Sequence, residues 1–187
     1  MEETPLVKGD IISGQTCISN KNMIHELEQK GYGEIEKEKL FLKQFETLYL
    51  LYAKRLILKK GNKQIDFNSF MSLSQKTNPE ILTKFLIYRD LRNRGYVVKD
   101  GFGFGSDFRV YERGHFGEKG AKFLIFGLNE GQQEKIGNLQ KKIEEITQMG
   151  KEPIIAVIER RGEIIYYKIN RMNFNENKAR LEESFQL

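Results

Sequence analysis

The sequence predicts an α+β fold in two parts, a helix-rich N-terminal α/β part and a C-terminal mixed β-sheet part with one long helix. Three observations predict it. Before Gly95, apolar residues recur largely at three- and four-residue intervals, the spacing of amphipathic helices. After Gly95 the pattern changes to YVVK, FRVY, KFLIF, PIIAVIE and GEIIYYKI, short runs that alternate or are continuously apolar and read as strands. A single helical pattern, from roughly Gln132 to Met149, interrupts those strands.

Taken in order, VKGDIISGQTCI from Val7 to Ile18 reads as a β-hairpin, with Gly9-Asp10 and Ser13-Gly14 as turn chemistry. A helix follows. Asn20 or Asn22 caps it, Met23, Ile24 and Leu27 share a face, and Gly31 stops it by taking the left-handed conformation. Leu40, Phe41, Phe45, Leu48, Tyr49 and Tyr52 predict a second helix running to Ala53. RLILKKGNKQIDF then alternates around Gly61-Asn62 as another hairpin. A short helix from Phe67 to Ser74 is capped by Asp66 or Asn68, and Asn78-Pro79 opens a longer one carrying Ile81, Leu82, Phe85, Leu86 and Leu91 to Gly95. PIIAVIE and GEIIYYKI form a final hairpin around Arg160 to Gly162, and Asn175 to Leu187 is a tail that either forms an exposed amphipathic helix or frays. The boundary is expected near residues 75 to 85, giving domains of 1–80 and 81–187.

Bulk properties exclude several function classes. No apolar run approaches the ~20 residues of a membrane span, and MEETPLVKGD lacks the basic start and apolar core of a signal peptide, so a cytoplasmic location is expected. Cys17 is the only cysteine, so no internal disulfide and no CxxC zinc site can form, and it reads as a small core or strand residue. No metal or cofactor is implied. The net charge of +5 fits attraction to polyanions and equally fits an ordinary solvated surface. Gly101, Gly103 and Gly105 follow a strand, but G-x-G-x-G lacks the third glycine of a dinucleotide loop. A strand, DFRVY, follows where a phosphate site needs a helix N-terminus. The run reads as a turn between strands.

The most informative stretch is YRDLRNRGYVVKDGFGFGSDFRVYERG, Tyr88 to Gly114, which ends its second strand on Tyr111. By spacing alone Tyr111 is either a general base or a partly buried aromatic. The stretch resembles the archaeal tRNA-splicing endonuclease family, whose members carry YRDLRxRGYxVKxGxxxGxDFRVYxxG. The resemblance runs from Val7 to about Phe174 and implies a restriction-endonuclease-like C-terminal nuclease domain. It also implies a metal-free triad of tyrosine, histidine and lysine. In that scheme tyrosine takes the 2′-hydroxyl proton, histidine protonates the leaving 5′-oxygen and lysine stabilises the phosphorane, leaving a 2′,3′-cyclic phosphate and a 5′-hydroxyl.

Carried over residue by residue, Tyr111 matches the tyrosine and Lys151 the lysine before PIIAVIE. The histidine does not carry over. Where the family shows His-Ser, a charged residue, an aromatic and then LV, this chain has Gly120-Ala121-Lys122-Phe123-Leu124-Ile125. His115, four residues past Tyr111, is either a relocated acid or a surface histidine, and His25 lies far away on the first helix. Where active members carry an arginine and a run like AHSVRK, this chain has Glu144-Glu145-Ile146-Thr147-Gln148-Met149-Gly150-Lys151, carboxylates in place of phosphate-binding cations. The resemblance therefore implies a structural subunit of a heteromeric enzyme. Its implied partners are a catalytic endonuclease subunit, in a heterotetramer, and precursor tRNA. The family's last two strands pair across subunits and its acidic turn docks on the opposing dimer. Here that turn is Glu159-Arg160-Arg161-Gly162-Glu163, its acidity diluted by two arginines. An active subunit using Tyr111, Lys151 and His115, or a stand-alone RNA-binding module, are the alternatives.

Overall fold

A computed structural model describes residues 6–101, 105–130 and 136–170. Strands β1 (Val7–Ile12) and β2 (Gln15–Ile18) form the expected hairpin, reversing at Ser13 and Gly14, whose φ values are 50° and 83°. Gly9-Asp10 makes no turn, contrary to expectation, and lies within β1. A Cβ at Gly9 would come within 2.7 Å of Ile18 Cδ1, so glycine serves close packing there. Helix α1 (Lys21–Gln29) is capped by Asn20, which accepts from Met23 N at 3.1 Å. Gly31 follows with φ +75°, and a Cβ there would clash with Val97 Cγ1.

The helix expected from Leu40 starts later. Residues Glu34–Glu36 (β3) and Lys39–Leu42 (β4) make a hairpin, and α2 (Gln44–Tyr52) begins after it. Leu40 and Leu42 are both buried, a two-residue period, and pair across to Ile18 and Thr16. The turn at Lys37 and Glu38 has φ values of 47° and 61°, a left-handed pair built without glycine or asparagine, which is why no turn signal announced it.

The remaining N-terminal elements follow expectation. They are β5 (Leu56–Lys60), β6 (Lys63–Ile65) and α3 (Phe67–Thr77), the last capped by Asp66 accepting from Ser69 N at 2.8 Å and one turn longer than expected. The six strands make one sheet in the order β3-β4-β2-β1-β5-β6, with β1 and β5 parallel. Helix α4 (Ile81–Asn93) leads into the second sheet of β7 (Val97–Asp100), β8 (Phe108–Tyr111), β9 (Phe123–Asn129), β10 (Glu152–Ile158) and β11 (Ile164–Lys168). Its order is β11-β10-β9-β8-β7, and only β9 and β10 run parallel. A parallel pair needs a crossover, supplied by α5 (Ile136–Gln148). Gly103, the start of the helix expected from Gln132, and the tail from Asn175 to Leu187 lie outside the described residues.

The sheet is covered on both faces. Ile87, Tyr88 and Leu91 of α4 belong to the same core as Val98, Phe108, Val110 and Ile125, whereas Leu124 and Phe126 cluster with Ile146 of α5. The first core is continuous from Val7 to Ile158 and so joins both sheets. Phe45 of α2 is its hinge piece, 4.9 Å from the Tyr88 ring and 5.1 Å from Phe108. Burying such a phenylalanine contributes roughly 2–3 kcal/mol. Beneath it lies a polar strap. Glu46, 1% exposed, accepts from Gly33 N at 3.0 Å and Lys43 N at 2.8 Å, and Lys99 of β7 donates to Gly33 O at 2.5 Å. Burial raises the Glu46 carboxyl above its ordinary value, with Lys99 and Arg92 pulling the other way.

Candidate active site

Strand register gathers the predicted residues at one end of the C-terminal sheet. Val110 pairs with Phe123, and Phe123 with Glu152. The next hydrogen bonds, Lys122 N to Val110 O and Glu152 N to Lys122 O, both at 2.9 Å, bring the end of β8 and the beginnings of β9 and β10 together. Tyr111 and Lys151 therefore flank the 120–122 segment from either side.

Tyr111 owes its orientation to strand alternation. Phe108 and Val110 are buried in the core, so Arg109 and Tyr111 turn to the opposite face. Tyr111 pairs with Val97 and is half-buried, its ring edge-on to Phe116 at 4.9 Å. Phe116 in turn lies against Gly31, where a Cβ would sit 3.3 Å from its ring. The loop after β8 is thus tied to the end of α1.

Lys151 leaves α5 through Gly150, whose φ is +68°, and is half-buried. Its Nζ donates to Ala121 O at 2.6 Å. A Cβ built on Gly120 would lie 3.9 Å from that same Nζ with no closer neighbour, and Gly120 does not hold a positive φ. Any side chain at position 120 would project beside the ammonium group.

His115 is held elsewhere. Its Nδ1 lies 3.6 Å from Glu112 Oε2 and its Nε2 3.4 Å from Lys119 Nζ. Glu112 is itself engaged by Lys122 at 2.9 Å, and that hydrogen bond holds its carboxyl below the ordinary range. His25, exposed on α1, meets Gln29 at 3.0 Å, far along the chain from these residues. On α5, Glu144 accepts from Gln140 at 3.1 Å, and Glu144 and Glu145 are both half-buried, while Ile143 and Ile146 face inward. At the last turn, Arg160 is engaged within the chain, its N–H donating to Glu130 Oε2 at 3.0 Å and its Nε 3.7 Å from that oxygen.

The glycine run is a turn where it is described. Gly101 N donates to Asp107 O at 2.9 Å and Gly105 has φ +68°. A Cβ at Gly101 would collide with Ser106 O, so this glycine is required by the turn itself. Among the described residues no group of three or more His, Cys, Asp or Glu is placed to hold a metal, and no helix is long and apolar enough to cross a membrane. Sequence reasoning missed the Ala121 carbonyl that fixes Lys151 and the Phe116 contact on Tyr111. A backbone carbonyl leaves no residue-type signal, and Phe116 sits in a loop without periodicity.

A six-stranded sheet followed by a mixed five-stranded sheet packed on the same core is consistent with a two-domain RNA-intron endonuclease fold. The chain belongs to the tRNA intron endonuclease family, matching its N-terminal domain over residues 7–71 and its catalytic C-terminal domain over residues 81–166. It is similar to the tRNA-splicing endonuclease of Methanococcus vannielii, 32% identical over 153 residues, 81% of this chain and 86% of that protein. The tRNA-splicing endonuclease of Thermococcus onnurineus is 31% identical over 165 residues, 87% of this chain and 95% of that one. That of Pyrococcus furiosus is 31% identical over 145 residues, 78% and 84% respectively.

Proposed function

We propose that this chain is the architectural, non-cleaving subunit of a heteromeric tRNA-splicing endonuclease, acting on precursor tRNA together with a catalytic subunit. The observation that carries the reading is at position 120. The position whose side chain would stand beside Lys151 is a glycine, so the row has a candidate base in Tyr111 and a candidate charge stabiliser in Lys151 but no proton donor. By the family's transesterification scheme the 5′-oxygen would then depart unprotonated. Loss of a positioned acid typically costs ~100- to 10,000-fold in rate. The half-buried carboxylates of Glu144 and Glu145 on α5 reinforce this, since carboxylates near a phosphate repel it. We further propose two domains, 1–80 and 81–187, on the ground that each segment builds its own sheet.

The test is cleavage of a bulge-helix-bulge RNA by this chain alone, by a catalytic relative alone and by the two co-expressed, with the mass of the complex measured. The expected result is cleavage only where the catalytic chain is present and a heteromeric mass for the pair. Robust cleavage by this chain alone overturns the reading. Glu112 at 3.6 Å from His115 Nδ1 favours a second reading, in which His115 is a relocated acid. His115→Ala in the assembled complex separates the two: an unchanged rate fits the architectural role, and a fall beyond tenfold fits the alternative.

A further inference from the structure

On the face of the C-terminal sheet opposite Tyr111 there is a groove of about 200 Å³, floored by aliphatic residues of β8, β9 and β10 and walled by the aromatic residues Tyr96, Phe123 and Tyr166. All three rings are half-buried, packed on the core below and open above. Each carries its own cation: Arg113 lies 4.8 Å from the Tyr96 centroid, Lys122 5.4 Å from Phe123 and Arg94 5.6 Å from Tyr166. Tyr96 and Phe123 meet edge to face at 6.5 Å, so the walls form a fixed corner. Tyr166 is locked by its hydroxyl, which donates to Asp90 at 2.7 Å, and Arg94 bonds the same carboxylate at 2.8 Å.

From this arrangement we propose that the groove is a binding site for unpaired bases of single-stranded RNA, separate from the cleavage row. The physical case rests on the pairing of ring and cation. Base stacking on aromatic rings and on guanidinium planes, with cations meeting the phosphates between bases, is how proteins hold single strands without reading sequence. The Arg113 guanidinium over the Tyr96 ring is exposed, so it is available to a base, and the apolar floor would receive the base edge. The charge balance also points to a polyanion. Lys122 is paired with Glu112, Arg94 with Asp90 and the neighbouring Lys168 with Glu152. Arg113 is exposed and has no carboxylate partner among the described residues, so the rim carries a net positive charge. The groove shares β8 and β9 with the Tyr111 and Lys151 row but opens on the other side, so a strand rounding the sheet end would meet both. The inference goes beyond the subunit assignment and rests on it only for the kind of polymer encountered.

The experiment measures binding of a fluorescein-labelled oligouridylate octamer to the full chain by anisotropy across a salt series. Variants are Arg113→Gln, Tyr96→Leu, which keeps the apolar packing, and Lys63→Ala as a control at an exposed lysine on β6 of the other sheet. The expected result is a fall in affinity of about five- to tenfold for Arg113→Gln and for Tyr96→Leu. Arg113→Gln should also shallow the salt slope by about one, and Lys63→Ala should leave binding unchanged. Equal affinity in all four proteins overturns the proposal. So does sedimentation showing that the Arg113 and Tyr96 variants lose self-association and leave RNA binding intact, which would make the groove an interface between copies. Failure of the subunit assignment would show instead as cleavage by the lone chain, with these binding differences intact.

Discussion

At position 120 the chain carries glycine without any backbone need for it. The segment carries no positive φ there, and the space beside Lys151 Nζ is open. Gly120→His should therefore fold normally and raise cleavage of a bulge-helix-bulge RNA by at least tenfold over the wild-type chain, an effect removed again by adding Lys151→Ala; no gain would show that the row is incompetent for other reasons. Tyr111 and Lys151 were singled out by the family resemblance rather than by spacing, and strand register places them on either side of residues 120–122. The carbonyl of Ala121 was not legible in the sequence, since nothing in a residue type says where its backbone oxygen points. Glu46 was likewise invisible as a buried group, being one carboxylate in a helix. Because burial raises its folded-state pKa, the native chain binds that proton more tightly than the unfolded chain. Its contribution is thus full below the ordinary carboxyl value of 4.5 and is lost as pH rises through the raised folded value. Glu46→Gln should lose one of the two backbone hydrogen bonds, roughly 1–3 kcal/mol. The stability gap to wild type should widen as the pH is lowered toward 4.5 in urea titrations, and a pH-independent gap would contradict the assignment.

Among the elements, the two helices with a side-chain cap at their starts were read correctly, and the hairpin without a turn residue was not. Asn20 and Asp66 mark helix starts through side-chain oxygens that accept from Met23 N and Ser69 N. Asn20→Ala should lower stability by ~1 kcal/mol in thermal melts. The β3–β4 hairpin had no such mark. Lys37 and Glu38 hold left-handed backbone that costs non-glycine residues roughly 1–2 kcal/mol each. Replacing the pair by Asn-Gly should raise Tm by about 2–4 °C. A fall in Tm would mean that the lysine and glutamate side chains contribute more than the strain costs. The helix expected from Leu40 failed for a related reason. Leu40, Phe41 and Phe45 satisfy helical spacing by coincidence, and cross-strand partners at Ile18 and Cys17 decide the matter.

For the molecule as a whole, two sheets share one core. Phe45 packs on Tyr88 and Phe108, Lys99 reaches Gly33, and Phe116 rests on Gly31, so neither sheet completes its burial alone. Calorimetry of the purified chain should show a single transition with equal calorimetric and van't Hoff enthalpies, and two resolved transitions would break this picture. The α+β class and the succession of strands after Gly95 were set by local pattern and residue type, which period and capping report directly. What only the tertiary structure decided was which strand ends meet, that Lys151 is moored to Ala121, and that Tyr96, Phe123 and Tyr166 form one cation-lined groove. Those depend on register and on contacts between residues distant in the chain, and such contacts leave no periodicity in a single sequence to be read.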